Sequence, residues 1–119
     1  MDSQLTVLPA GLLATFGGSW YTRKHAMFDR DAGNTNKNLV HGVHDGEIEE
    51  ACEDPDAIII EQQVVDGEER YVLLGRAATS GVYLRVVYTW RTDNQGEDLM
   101  RPISAVTMGR PQRRRYQRG

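Results

Sequence analysis

Residues able to hold phosphate crowd the end of this chain: Arg110, Arg113, Arg114, Arg115 and Arg118 fall within its last ten residues. Each guanidinium offers a planar fork of donors and keeps its charge. Such a terminus reads either as a phosphate-binding surface or as a solvated tail. Upstream, Tyr83, Arg85, Thr89 and Arg91 alternate along VYLRVVYTWR and share one face of a strand. The rings of Tyr83 and Tyr116 can stack on an unpaired base or serve as packing. His41 stands before Gly42. Its imidazole titrates near neutral pH, and a helix C-terminus would favour its protonated form. It reads as a general acid or base, or as a capping residue bonded to a terminal carbonyl. His25 and His44 lack such a setting and read as surface residues. No glycine pattern forms a phosphate loop and no spacing suits metal ligands, so neither metal nor cofactor is expected. Cys52, the only cysteine, sits among helix formers and reads as a small packing residue. It permits no internal disulfide and suits a reducing cytoplasm.

Charge is divided along the chain. Of its 119 residues, 1–69 carry 14 acids against 4 bases, a net of −10. Residues 70–119 carry 10 arginines and no lysine against Asp93, Glu97 and Asp98, a net of +7. The overall −3 conceals a basic pole able to bind a polyanion such as RNA. No apolar run reaches transmembrane length, and the N-terminal apolar stretch lacks the positive charge of a signal peptide. The length suits one domain with a modest core.

The elements that position these residues follow from pattern. Residues 1–26 are irregular, with Pro9, Gly11, Gly17 and Gly18 as breakers, and read either as an N-terminal extension packing on a domain over 27–119 or as a segment ahead of a natural start at Met27. A first helix is expected near 32–41, capped by Asp31 and ended by Gly42. A second is expected over 45–53, with Asp45 as cap and Glu47, Glu49 and Glu50 favouring its dipole. Asp54-Pro55-Asp56 ends it. Strands are expected over 57–65, 70–76, 82–91 and 99–106, the first two joined at Asp66-Gly67. Trp90 belongs with Val82, Leu84, Val86 and Tyr88 on the core face, and Trp20 also reads as a core or contact residue. Residues 110–117 read as a closing basic helix with Pro111 in its first turn. The order implies an α+β domain: a four-stranded antiparallel sheet, two N-terminal helices on one face and a C-terminal basic helix. The other face would display Arg85, Thr89 and Arg91.

The blocks NLVHGVHDGEIEEACEDPDA, GEERYVLLGR, YLRVVYTWR and RPISAVTMGRPQRRRY resemble, in order and spacing, the BrnT-type toxin family. The resemblance covers about residues 30–117. It implies a RelE-like fold, a ribonuclease that halts translation, a ribbon-helix-helix antitoxin as partner and repression of their own operon by the complex. It also implies that Arg76, Arg91 and Arg101, at strand ends, hold the reacting phosphate beside His41. Metal-free RNA cleavage needs a base for the 2′-hydroxyl proton, cations for the charged phosphorane and an acid for the leaving oxygen. Arg85, Thr89, Arg110, Arg113, Arg114 and Tyr116 would hold the RNA. The strand arginines have a second reading, as ion-pair partners of the acidic second helix. Three positions depart from the family pattern: Val40 stands where a basic residue precedes the histidine, Val106 for an arginine, and Gln112 for an acid. They support an alternative, a catalytically weakened relative that binds RNA or a partner protein.

Overall fold

A computed structural model describes residues 27–119, together with the backbone of two short strands, β1 (Ala14–Phe16) and β2 (Ser19–Tyr21), which pair antiparallel. The extension reading of residues 1–26 and the roles expected of Trp20 and His25 otherwise lie outside the described residues. A 3-10 helix, Lys37–His41, and α1, Asp45–Cys52, precede a four-stranded antiparallel meander. Its strands are β3 (Ile58–Val65), β4 (Glu68–Arg76), β5 (Tyr83–Thr92) and β6 (Asp98–Thr107), paired in that order. Helix α2, Arg110–Arg118, follows. At the β3–β4 turn both Asp66 (φ 51°) and Gly67 (φ 78°) are left-handed, the conformation that matches hairpin twist.

α1 lays Ile48, Ala51 and Cys52 against Leu73, Leu84, Val86 and Tyr88, and these form the main core with Met100 and Ala105. Trp90 packs against this core. Helix and sheet come close at Gly75, where a Cβ would collide with the Ala51 carbonyl. The Cys52 thiol is buried in this layer, and burial pushes its pKa up to about 12. Such a thiol is a packing group and not a nucleophile at neutral pH. At the N-terminus of α1 the exposed His44 is the cap, and its N–H donates to Glu47 Oε1 at 3.0 Å. Asp45, the expected cap, instead accepts from Asn36 N at 2.9 Å.

The first expected helix is corrected. Among the described residues only one α-helix precedes the sheet, and residues 32–41 form turns that end in the 3-10 helix. The reason lies in two asparagines. Asn34 Nδ2 donates to the Pro102 carbonyl at 3.1 Å, and Asn38 Oδ1 accepts from Ala105 N at 3.1 Å. Both are buried. Met100 also exchanges backbone bonds with Met27 and Asp29. The segment from Met27 to His41 therefore runs along the outer edge of β6 and satisfies backbone groups that an edge strand leaves open. Between Asn34 and Asn38, Asn36 is left-handed (φ 56°), a conformation that an α-helix does not continue through.

The far face of the sheet is not the open display expected of it. Val72 and Leu74 are fully buried there and Val87 nearly so. Thr89 is only 3% exposed, and its hydroxyl donates to the Glu69 carbonyl at 2.7 Å. On β4 and β5 the accessible polar residues of this face are confined to the strand ends.

Candidate nucleic-acid interface

The first end is built where β4 stops, β5 starts and α2 docks. Arg76 and Tyr83 are register partners. α2 begins with Pro111 in its first turn, and the Gly109 N–H donates to Gln112 Oε1 at 3.0 Å. Glutamine thus serves at a capping position where an acid serves equally well, which gives the departure at 112 a structural role. Tyr116 fixes the helix to the body. Its hydroxyl donates to Asp54 Oδ2 at 2.6 Å, and the same oxygen accepts the Arg76 N–H at 2.8 Å. Burial, and then the Asp54 carboxylate, push the Tyr116 hydroxyl well above its ordinary pKa. So anchored, Tyr116 meets Tyr83 edge-on, with centroids 5.6 Å apart. Arg113 lies over the Tyr83 ring at 4.0 Å and Arg76 at 5.6 Å. Arg76 Nε donates to the Gly81 carbonyl at 3.3 Å. Arg85 follows two residues along β5, between its register partners Leu74 and Val106.

The second end carries Arg70, Arg91 and Arg101 around a groove of about 190 Å³ that Lys37 also lines. Arg91 lies six positions along β5 from Arg85, about 20 Å of strand. The arginines here already have carboxylate partners. Arg70 and Arg91 share Glu68, at 2.9 and 3.0 Å. Arg101 reaches Asp29 at 3.2 Å and Asp31 at 3.0 Å. The Arg70 contact, then Arg91, holds the Glu68 carboxyl below its usual range, and the Asp31 contact raises the Arg101 guanidinium further. Ion pairing of strand arginines is therefore present, but its acids come from β4 and the 29–31 segment and not from α1. By contrast, among the described residues no carboxylate pairs with Arg85, Arg110, Arg113, Arg114, Arg115 or Arg118.

His41 closes the 3-10 helix, followed by left-handed Gly42 (φ 75°). The helix is too short to carry much dipole. The run of contacts Met27–Met100, Asn34–Pro102 and Asn38–Ala105 advances along β6. Exposed His41 comes three residues after Asn38, whose partner Ala105 precedes Val106, the register partner of Arg85. Arg101 lies four residues back along β6, about 13 Å. The residues expected to be catalytic therefore divide: Arg76 lies at the first end and Arg91 and Arg101 at the second, while His41 follows Asn38 at the outer edge of β6.

The comparison with known families now decides the assignment. Residues 29–111 match the family model described as the ribonuclease toxin, BrnT, of type II toxin-antitoxin systems. The chain belongs to the BrnT toxin family. BrnT is the toxin half of such a pair, so the chain is a ribonuclease toxin and an antitoxin is its partner. No curated protein matches the chain. No described helix is long and apolar enough to cross a membrane. Among the described residues, no three of His, Cys, Asp and Glu cluster as metal ligands.

Three contributors to the BrnT surface escaped sequence reasoning. Asp54 read only as a helix stop, although an Asp-Pro-Asp sequence beside a helix end is also a signal for a carboxylate turned inward. It accepts Asp56 N as well as Tyr116 and Arg76. Arg70 and Glu68 begin β4 and offered no pattern, because their roles depend on register with Arg91.

Proposed function

We propose that this toxin cuts RNA without a metal ion, at the end of the sheet where its cations lack carboxylate partners, and so halts translation. The observation that carries the reading is the contrast between the two ends. A phosphate meeting Arg91 or Arg101 must compete with Glu68, Asp29 and Asp31. One meeting Arg85 or Arg113 displaces only water or an aromatic face. In this reading His41 takes the 2′-hydroxyl proton or supplies the proton to the departing 5′-oxygen. Arg76, Arg85 and Arg113 stabilise the negative phosphorane. Arg110 and Arg114 hold flanking phosphates, and Tyr116 acts by fixing α2. Arg91 braces β5 on β4 through Glu68, and Arg101 braces β6 on the 29–31 segment. Thr89 belongs to the same structural layer.

The meander with a basic closing helix supports a RelE-like arrangement. The domain over 27–119 carries the activity and residues 1–26 extend it. A ribbon-helix-helix antitoxin covers the arginine end in the cytoplasm, and the pair represses its own operon. The test is cleavage of a defined RNA by the purified chain in EDTA. Activity should persist, and His41→Ala should lower it by about a hundredfold or more. Loss of wild-type cleavage in EDTA would overturn the metal-free mechanism.

A second reading, a weakened relative that binds RNA with little cleavage, draws on Val106. This side chain stands directly across from Arg85 and adds no cation there.

A further inference from the structure

Tyr83 sits at the centre of the first end, yet packing does not account for all of its surroundings. The guanidinium of Arg113, an exposed side chain, lies over its ring at 4.0 Å, and that of Arg76 stands farther off at 5.6 Å. Beside it lies a groove of about 270 Å³ lined by Gly81, Val82, Tyr83, Thr107, Met108 and Arg113. The Met108 N–H donates to the Tyr83 carbonyl at 2.9 Å. Its walls are thus an aromatic face, two apolar side chains, a threonine at the rim and an arginine without a carboxylate.

These features ask for a ligand that is flat, unsaturated and tied to negative charge. We propose that this groove is a nucleobase subsite of the ribonuclease. One unpaired base of the RNA lies against the Tyr83 ring. It takes the position of the Arg113 guanidinium, which moves on its long stem to the adjoining phosphate. Val82 and Met108 shield the base, and Thr107 offers a hydroxyl to its polar edge. Tyr116 cannot fill this role, because its hydroxyl is committed to Asp54 and its ring meets Tyr83 edge-on. The inference rests on the ribonuclease reading above and adds to it a choice of base at one position. Ring stacking tolerates every base, so any preference comes from the Thr107 rim.

The test uses the full chain and a short 2′-O-methyl oligonucleotide, which cannot be cut, carrying one 2-aminopurine. Stacking on Tyr83 should quench its fluorescence. Tyr83→Leu should abolish the quench and weaken binding by about ten- to a hundredfold. Tyr83→Phe should retain both. Inorganic polyphosphate, which has no base, should bind wild type and Tyr83→Leu alike. Equal oligonucleotide affinity in wild type and Tyr83→Leu would overturn the subsite while leaving the ribonuclease intact. An equal loss of polyphosphate binding would also overturn it, because the ring would then serve only to hold the arginines of α2. If wild type bound neither probe and cut no RNA, the ribonuclease reading itself would fall and the subsite with it.

Discussion

Removing one oxygen atom, in Tyr116→Phe, should release α2 from the sheet without unfolding the domain. The helix has nine residues and none of them is buried. A helix of that length is marginal in water on its own, so its order depends on docking. Among the described residues, the 2.6 Å bond from Tyr116 to Asp54 is the hydrogen bond that ties it to the rest of the domain. A hydrogen bond to a charged group contributes about 1.5–3 kcal/mol. The ring is only partly buried and water can rehydrate Asp54, so about 1–2 kcal/mol is the expected loss. That range corresponds to a change of about five- to thirtyfold in the docking equilibrium. Amide exchange over residues 110–118 should accelerate by the same factor, while β4 and β5 keep their protection. The pH dependence has a definite sign. The folded-state pKa of Tyr116 is raised above 10, so the bond is fully present below pH 10 and is lost as pH rises through the raised value. Exchange in α2 should thus be insensitive to Tyr116 ionisation at neutral pH. Unchanged exchange over 110–118 in Tyr116→Phe, or acceleration spread equally over the sheet, would refute this account of docking.

Other outcomes follow from the same contacts. Gly75→Ala should destabilise the domain by about 1–3 kcal/mol, read as a lower midpoint in urea, because the new Cβ meets the backbone of α1. Acid should destabilise it too: Glu68 and Glu50 sit below their ordinary 4.5 through Arg70 and Thr79 respectively. Their stabilising contribution is present above that value and is lost as pH falls through the lowered ones. The melting temperature should decline below about pH 4.5, less steeply in Glu68→Gln. Val106→Arg should add a phosphate ligand across from Arg85 and raise RNA cleavage several-fold. Its cross-strand like charge should lower stability by about 0.2–1 kcal/mol. A variant that loses activity while still folded would contradict the placement of the reacting phosphate.

The sheet was legible because its strands are written locally. β-branched runs and the Asp66-Gly67 turn determine the hairpin without reference to distant residues. The closing helix was legible for the same reason, from Pro111 and its run of arginines. Residues 32–41 were not, because Asn34 and Asn38 act through bonds to Pro102 and Ala105, nearly seventy positions away. Alternation placed Arg85, Thr89 and Arg91 on one face correctly. It could not reveal that the middle of that face is buried, or that Glu68 neutralises one of the arginines at its end. Arg91 and Arg85 look equivalent in sequence, and only their partners separate them.

That separation is the central claim, and the relative cleavage rates of Arg85→Ala and Arg91→Ala test it most directly. Both variants would be compared with wild type on one RNA, in EDTA, after amide exchange has confirmed that each sheet is intact. The account predicts that Arg85→Ala loses about a hundredfold in rate, as expected when a group holding transition-state charge is removed, and at least ten times more than Arg91→Ala loses. A larger loss in Arg91→Ala, with Arg85→Ala close to wild type, would place the reacting phosphate at the opposite end of the sheet and contradict the account.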